Sequence, residues 1–100
     1  MQKHEVINAI VEHGYSLEKM EEYGTVYFGK TILHGDDVEV HKVVEISESS
    51  NGLWFLFYKT RKTPQNGKHE AFGDSFGVNL EEISIENGIV MDGWFNEFVL

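Results

Sequence analysis

The chain of 100 residues contains no cysteine. That absence excludes a disulfide framework, a thiol nucleophile and a thiolate metal site. Proline occurs once, at Pro64, so chain reversals must be made almost entirely by Gly, Asn and Asp. Apolar residues never run on for the roughly 20 positions that a membrane span needs. The opening "MQKHEVINAIVEHG" mixes charges through its apolar positions and does not read as a signal peptide. A cytoplasmic protein is the simplest expectation. Basic residues are also scarce, 8 against 17 acidic ones for a formal net charge of −9, and none follows His69. Direct binding of nucleic acid or an anionic membrane is disfavoured by the long-range field, whereas a basic partner is favoured.

What is present is ample for one folded domain spanning residues 1–100: 41% of the residues are hydrophobic and 13% aromatic. Residues 3–13 read as an amphipathic helix with Val6, Ile7, Ile10 and Val11 on one face, stopped by Gly14. Residues 16–22 fit either a short helix capped by Ser16 or a first strand. From Thr25 the period changes to two, and Val38, Val40, Val44 and Ile46 share a face. Gly35-Asp36, Asn51-Gly52, Asn66-Gly67 and Asn87-Gly88 favour the positive φ angles of tight hairpins, most clearly in "ISIE-NG-IVMD". The predicted fold is α+β: an N-terminal helix on an antiparallel meander of four to six strands, curled or open, with a short C-terminal helix in "GWFNEFVL".

One strand, "LWFLFY", is apolar at six successive positions, with Leu53, Phe55 and Phe57 on one face and Trp54, Leu56 and Tyr58 on the other. Such a strand wants cover on both sides. The first helix supplies one side; the C-terminal segment, the curling of the sheet or a partner would supply the other. In the last case Trp54 and Tyr58 mark a binding surface.

No catalytic constellation stands out. Gly73-Asp74-Ser75 resembles three residues of the nucleophile block of the GDS-type esterases, but no histidine follows it to act as base. A bend that tucks Phe72 and Phe76 into the core is the expected use. No Gly-x-Ser-x-Gly elbow and no Gly-rich phosphate loop occurs. The pairs Glu21-Glu22, Asp36-Asp37 and Glu81-Glu82 read as solvated carboxylates rather than acid–base dyads. "HGDDVEVH" places His34, Asp36, Asp37 and His41 within eight residues, donors suited to a divalent metal, although a Gly-Asp-Asp turn explains the stretch as well. No metal and no cofactor is expected from so loose a pattern. The other histidines, His4, His13 and His69, are scattered.

Between Lys59 and His69 lie four cations, Lys59, Arg61, Lys62 and Lys68, and no acid. The segment reads as a hairpin turning at Thr63-Pro64-Gln65-Asn66-Gly67, whose lysines protect a sheet edge, meet an acidic patch on a partner or second copy, or, as a basic ribbon with Tyr58 near its base, contact nucleic acid. Taken together, these features lead to the expectation of a non-enzymatic acidic module that occupies the basic surface of a protein partner. In its sharpest version the module is an inhibitor of the DNA-mimic kind carried by phages and mobile elements, with Asp36, Asp37, Glu39, Glu81, Glu82, Glu86 and Asp92 as its carboxylates. The alternatives are a homo-oligomeric structural protein, a homodimer in its simplest form, and a small metal-dependent enzyme using the 34–41 hairpin.

Overall fold

The computed structural model describes residues 2–50, 52–63 and 67–100. Helix α1 (Gln2–Glu12) precedes strands β1 (Ser16–Met20), β2 (Val26–His34), β3 (Glu39–Ser49), β4 (Gly52–Lys62) and β5 (His69–Asn79). A 3-10 turn (Leu80–Glu82), a small hairpin of β6 (Ile85–Glu86) and β7 (Ile89–Val90), and helix α2 (Gly93–Val99) complete the chain. The five long strands pair antiparallel in sequence order and leave the sheet open, so the α+β meander expected from the sequence is present and does not curl closed. No helix among the described residues is long and apolar enough to cross a membrane.

Residues 16–22, ambiguous in sequence, begin with the edge strand β1. Asn87 at φ 53° and Gly88 at φ 78° make the two-residue turn between β6 and β7. The turns at Asn51 and at Pro64, Gln65 and Asn66 lie outside the described residues. Of the described residues flanking the second, Gly67 N–H donates to the Thr63 carbonyl at 2.9 Å.

Cross-strand rows define the core. Val26, Ile46, Phe55 and Val78 stand side by side on four strands, and Phe28, Val44, Phe57 and Phe76 form the next row. Val6 and Ile10 of α1 cover these rows, as do Phe95 and Val99 of α2, Ile83 and Val90. Val11, expected on the buried stripe, is 48% exposed, because α1 meets the sheet through a narrower arc than its apolar residues span. The Phe57 ring meets Trp94, Phe95 and Phe98 edge-on with centroids 5.4, 5.9 and 5.3 Å away, an arrangement favoured by the aromatic quadrupole. Both the Tyr15 hydroxyl (3.3 Å) and the Lys42 ammonium (2.6 Å) donate to the Phe98 carbonyl, tying the last turn of α2 to the rest.

Two sequence expectations change here. The C-terminal helix does not cover the second face of β4; it shares the Phe55–Phe57 face with α1. Phe72 and Phe76 do not enter the core either. Phe76 is half-exposed against Trp94, and Phe72 lies under the Lys59 and Arg61 side chains. Phe76 keeps register with Phe57 but stands on the edge strand β5; beyond it β5 bulges through Gly73-Asp74-Ser75, with Gly73 at φ 72°, and this shift carries Phe72 away from the core rows.

Candidate functional site on the uncovered sheet face

With both helices on one side, the opposite face of the sheet carries Tyr27, Val43, Glu45, Trp54, Leu56 and Tyr58 with no helix over them. Trp54 lies flat across β5 over Gly77, where a Cβ would overlap the indole. The Glu18 carboxylate occupies the equivalent space over Gly29. Gly77 is therefore used for close approach rather than for a turn, while at Gly29 the neighbour is the flexible end of Glu18. Trp54 remains 36% exposed, an aromatic ring seated on the sheet and open to contact.

Carboxylates tie the tyrosines of this face. Tyr58 donates to Glu45 at 3.2 Å and Tyr27 donates to Glu21 at 2.8 Å. Burial, with the nearby Glu45 charge and hydrogen bond, pushes the Tyr58 phenol well up. The Tyr27 phenol is pushed up to about 12, first by its hydrogen bond to Glu21, then by burial and by the charges of Glu45 and Glu21. An unfolded phenol ionises near about 10. The stabilisation from Tyr27 is thus complete below that pH and is lost as pH rises from about 10 to about 12. Urea denaturation of wild type and Tyr27→Phe should show a stability gap that is constant up to about pH 10 and shrinks above it. A gap unchanged to the highest pH at which the chain still folds would refute this.

At the other end of the same face, His41 and His69 converge on Glu39. His41 Nε2 lies 2.5 Å and His69 Nε2 lies 3.9 Å from Glu39 Oε1, and the two imidazole centroids are 4.2 Å apart. His34 Nδ1 stands 3.6 Å from the second Glu39 oxygen. The hydrogen bond from His41 holds the Glu39 carboxyl below its ordinary range; partial burial opposes this, and the three imidazoles add to the lowering.

The expected site residues separate into groups. Strand ends show where the carboxylates go: Val26, Ile46, Phe55 and Val78 lie in one row, so Glu21, Glu22, Glu48, Glu81 and Glu82 all leave the sheet at the same end. Asp36 and Asp37 sit at the opposite end, lining a depression of about 230 Å³ with Lys62 and Thr63. From Trp54 to Lys62, β4 alone spans on the order of 27 Å at 3.4 Å per residue, so the seven candidate carboxylates do not form one array. Three of them have local partners: Glu39 in the imidazole cluster, Glu82 accepting from the Asn79 backbone at 2.9 Å, and Asp92 accepting from the Ser84 backbone at 2.7 Å. Glu86 lies exposed beside the β6–β7 turn. The His34–Asp36–Asp37–His41 set is not brought together: the imidazoles turn to Glu39, and the two aspartates stay at the hairpin tip.

The basic segment is not an edge guard, since β4 lies between β3 and β5. Lys59 and Arg61 point to the helix side, 5.7 and 5.2 Å above the Phe72 ring. Lys62 is on the uncovered face in register with Glu39 and His69, and Lys68 is exposed in the turn. Lys59 is paired across the sheet with Lys42, and Lys42 with Lys30. Burial, reinforced by these two neighbours, lowers the pKa of Lys42. In comparisons with protein-family models, curated proteins and solved structures, the chain has no match.

Proposed function

We propose that the protein is a non-enzymatic binding module that docks on a basic protein partner through Trp54 and the carboxylate-bearing end of its sheet. One observation carries this reading. Trp54 lies on the face that neither helix covers, at the end where Glu21, Glu22, Glu48, Glu81 and Glu82 leave the strands. An exposed aromatic anchor at the same end of the sheet as these carboxylates suits a lysine- or arginine-rich surface, which gains both cation–π contact and ion pairing. A nucleic-acid-processing protein, whose groove is built for phosphates, is the partner class that the mimicry version names. Asp36 and Asp37 lie too far from this end to share the contact.

The test compares captures from nuclease-treated lysate at about 0.1 M and about 0.5 M salt, which bracket weak and strong screening. Three proteins serve as bait: wild type, Trp54→Ala and Glu48→Lys/Glu81→Lys. Glu82 is spared because it caps the 3-10 turn. A basic protein should be retained by wild type at low salt, released at high salt, and lost with either variant. Titration of that protein should show Trp54→Ala weakening binding by about 30-fold, the scale of a hot-spot residue. Retention unaffected by both variants would overturn the assignment. A wild-type dimer in light scattering that Trp54→Ala dissolves would assign the face to self-association instead.

A further inference from the structure

We propose that Glu39, His41 and His69 hold one divalent transition-metal ion of the zinc type on the uncovered sheet face. The site is separate from the Trp54 end and does not depend on the docking reading. Two imidazole nitrogens and one carboxylate oxygen on β3 and β5 converge, all three ligand atoms lying within 4.8 Å of one another. Bonds of about 2.0–2.2 Å in a four-coordinate site place ligand atoms roughly 3.3–3.6 Å apart. The His69–Glu39 separation of 3.9 Å is close to that, and the His41–Glu39 hydrogen bond of 2.5 Å opens by side-chain rotation alone.

The outer nitrogens support the same assignment. Nδ1 of His41 faces the Glu18 carboxylate at 3.9 Å, and Nδ1 of His69 lies 3.3 Å from the Thr60 hydroxyl. Nε2 of His41 donates to Glu39 and gives up that proton to take the ion; Glu18 and Thr60 then stand behind the two Nδ1 atoms to receive the remaining N–H, and both Nε2 atoms face Glu39. Metal-bound histidines are oriented in this way by their second nitrogen. Gly29 contributes by leaving room for Glu18 to lie behind His41. The Thr31 hydroxyl, 3.2 Å from His41 Nε2, is displaced when that nitrogen takes the ion. A cleft of about 220 Å³ opens beside the cluster and gives entry from solvent. His34 Nδ1 lies 3.6 Å from the second Glu39 oxygen and stands outside this ligand set.

Two imidazoles with one carboxylate, and no thiolate in the chain, favour Zn²⁺, Co²⁺ or Ni²⁺ over Mg²⁺ and Ca²⁺, which prefer all-oxygen shells. An ordinary solvated His–Glu cluster would show no stoichiometric uptake.

Chelator-stripped protein, titrated with Zn²⁺ by calorimetry and with Co²⁺ by visible absorption, should take up one equivalent per chain. Zn²⁺ should also raise the melting temperature. Glu39→Gln and His69→Ala should each weaken uptake at least tenfold. Glu18→Gln, which leaves every ligand in place, should weaken it by about 10- to 100-fold. Asp36→Asn/Asp37→Asn should leave it unchanged. Circular dichroism on each variant separates lost ligands from lost fold. Absence of uptake by folded wild type overturns the proposal. Uptake that survives Glu39→Gln and His69→Ala also overturns it, by moving the ion to other histidines such as His4 and His13.

Discussion

Phe57→Ala is expected to lower the stability of the domain by about 3–5 kcal/mol, the usual range when a buried aromatic is cut back to alanine. Phe57 is 1% exposed and is the side chain on which the whole C-terminal helix rests, its ring meeting three aromatics of α2. Removing the ring opens a cavity and also deletes three edge-to-face contacts. Domains of this size are stable by roughly 5–15 kcal/mol in total, so the variant should sit near its folding threshold at body temperature. Tyr58→Ala, one residue later but on the uncovered face, should cost far less. Its ring is only partly buried and its hydroxyl donates to Glu45 at 3.2 Å. Urea denaturation of both variants gives the comparison. Equal losses would mean that the second face is covered after all, by a partner copy or by a packing of α2 different from the one described.

The contrast between neighbours on β4 also marks how far the sequence could be read. "LWFLFY" announces a central strand with two apolar faces, and β4 is central, paired along its length with β3 and β5. The Asn-Gly turn between β6 and β7 was likewise legible, because only a narrow set of residues accepts positive φ at both turn positions. Which side α2 would take was not legible. Trp94, Phe95 and Phe98 fit a helical face whichever layer they cover, and the choice depends on how Phe57 packs against them in three dimensions. The imidazole cluster was hidden for a different reason. Glu39 and His41 are two apart on one strand and so share a face, but His69 joins them only because β4 carries Thr60 and Lys62 between them in a fixed register. The lysine row has the same origin, since Lys30, Lys42 and Lys59 come from three segments that pattern alone does not align. Bulges at Ile32 and at Gly73–Ser75 shift the register on both sides, and no periodic count anticipates them.

Gly77→Ala should destabilise the domain by about 1–3 kcal/mol, the usual cost of forcing an atom into occupied space. The added Cβ would overlap the Trp54 indole, so either β5 moves away from β4 or the ring lifts off the sheet. The ring is the softer of the two, being already 36% exposed. Its fluorescence should therefore shift to the red as it turns into water. A double-mutant cycle isolates the contact. Trp54→Ala should remove most of the penalty of Gly77→Ala, leaving only the small backbone effect of alanine in a strand. The coupling between the two sites should then account for the larger part of the single-mutant loss. Additive losses would show that Gly77 is required for some reason other than Trp54, and the indole would no longer be a group seated by design on the sheet. The same pair bears on function. If the flat ring is the anchor of a partner interface, Gly77→Ala should weaken partner binding while the acidic end is untouched, because a lifted ring no longer presents its face at that end of the sheet. Binding that persists unchanged with a displaced Trp54 would leave the carboxylates as the contact and remove the aromatic anchor from it.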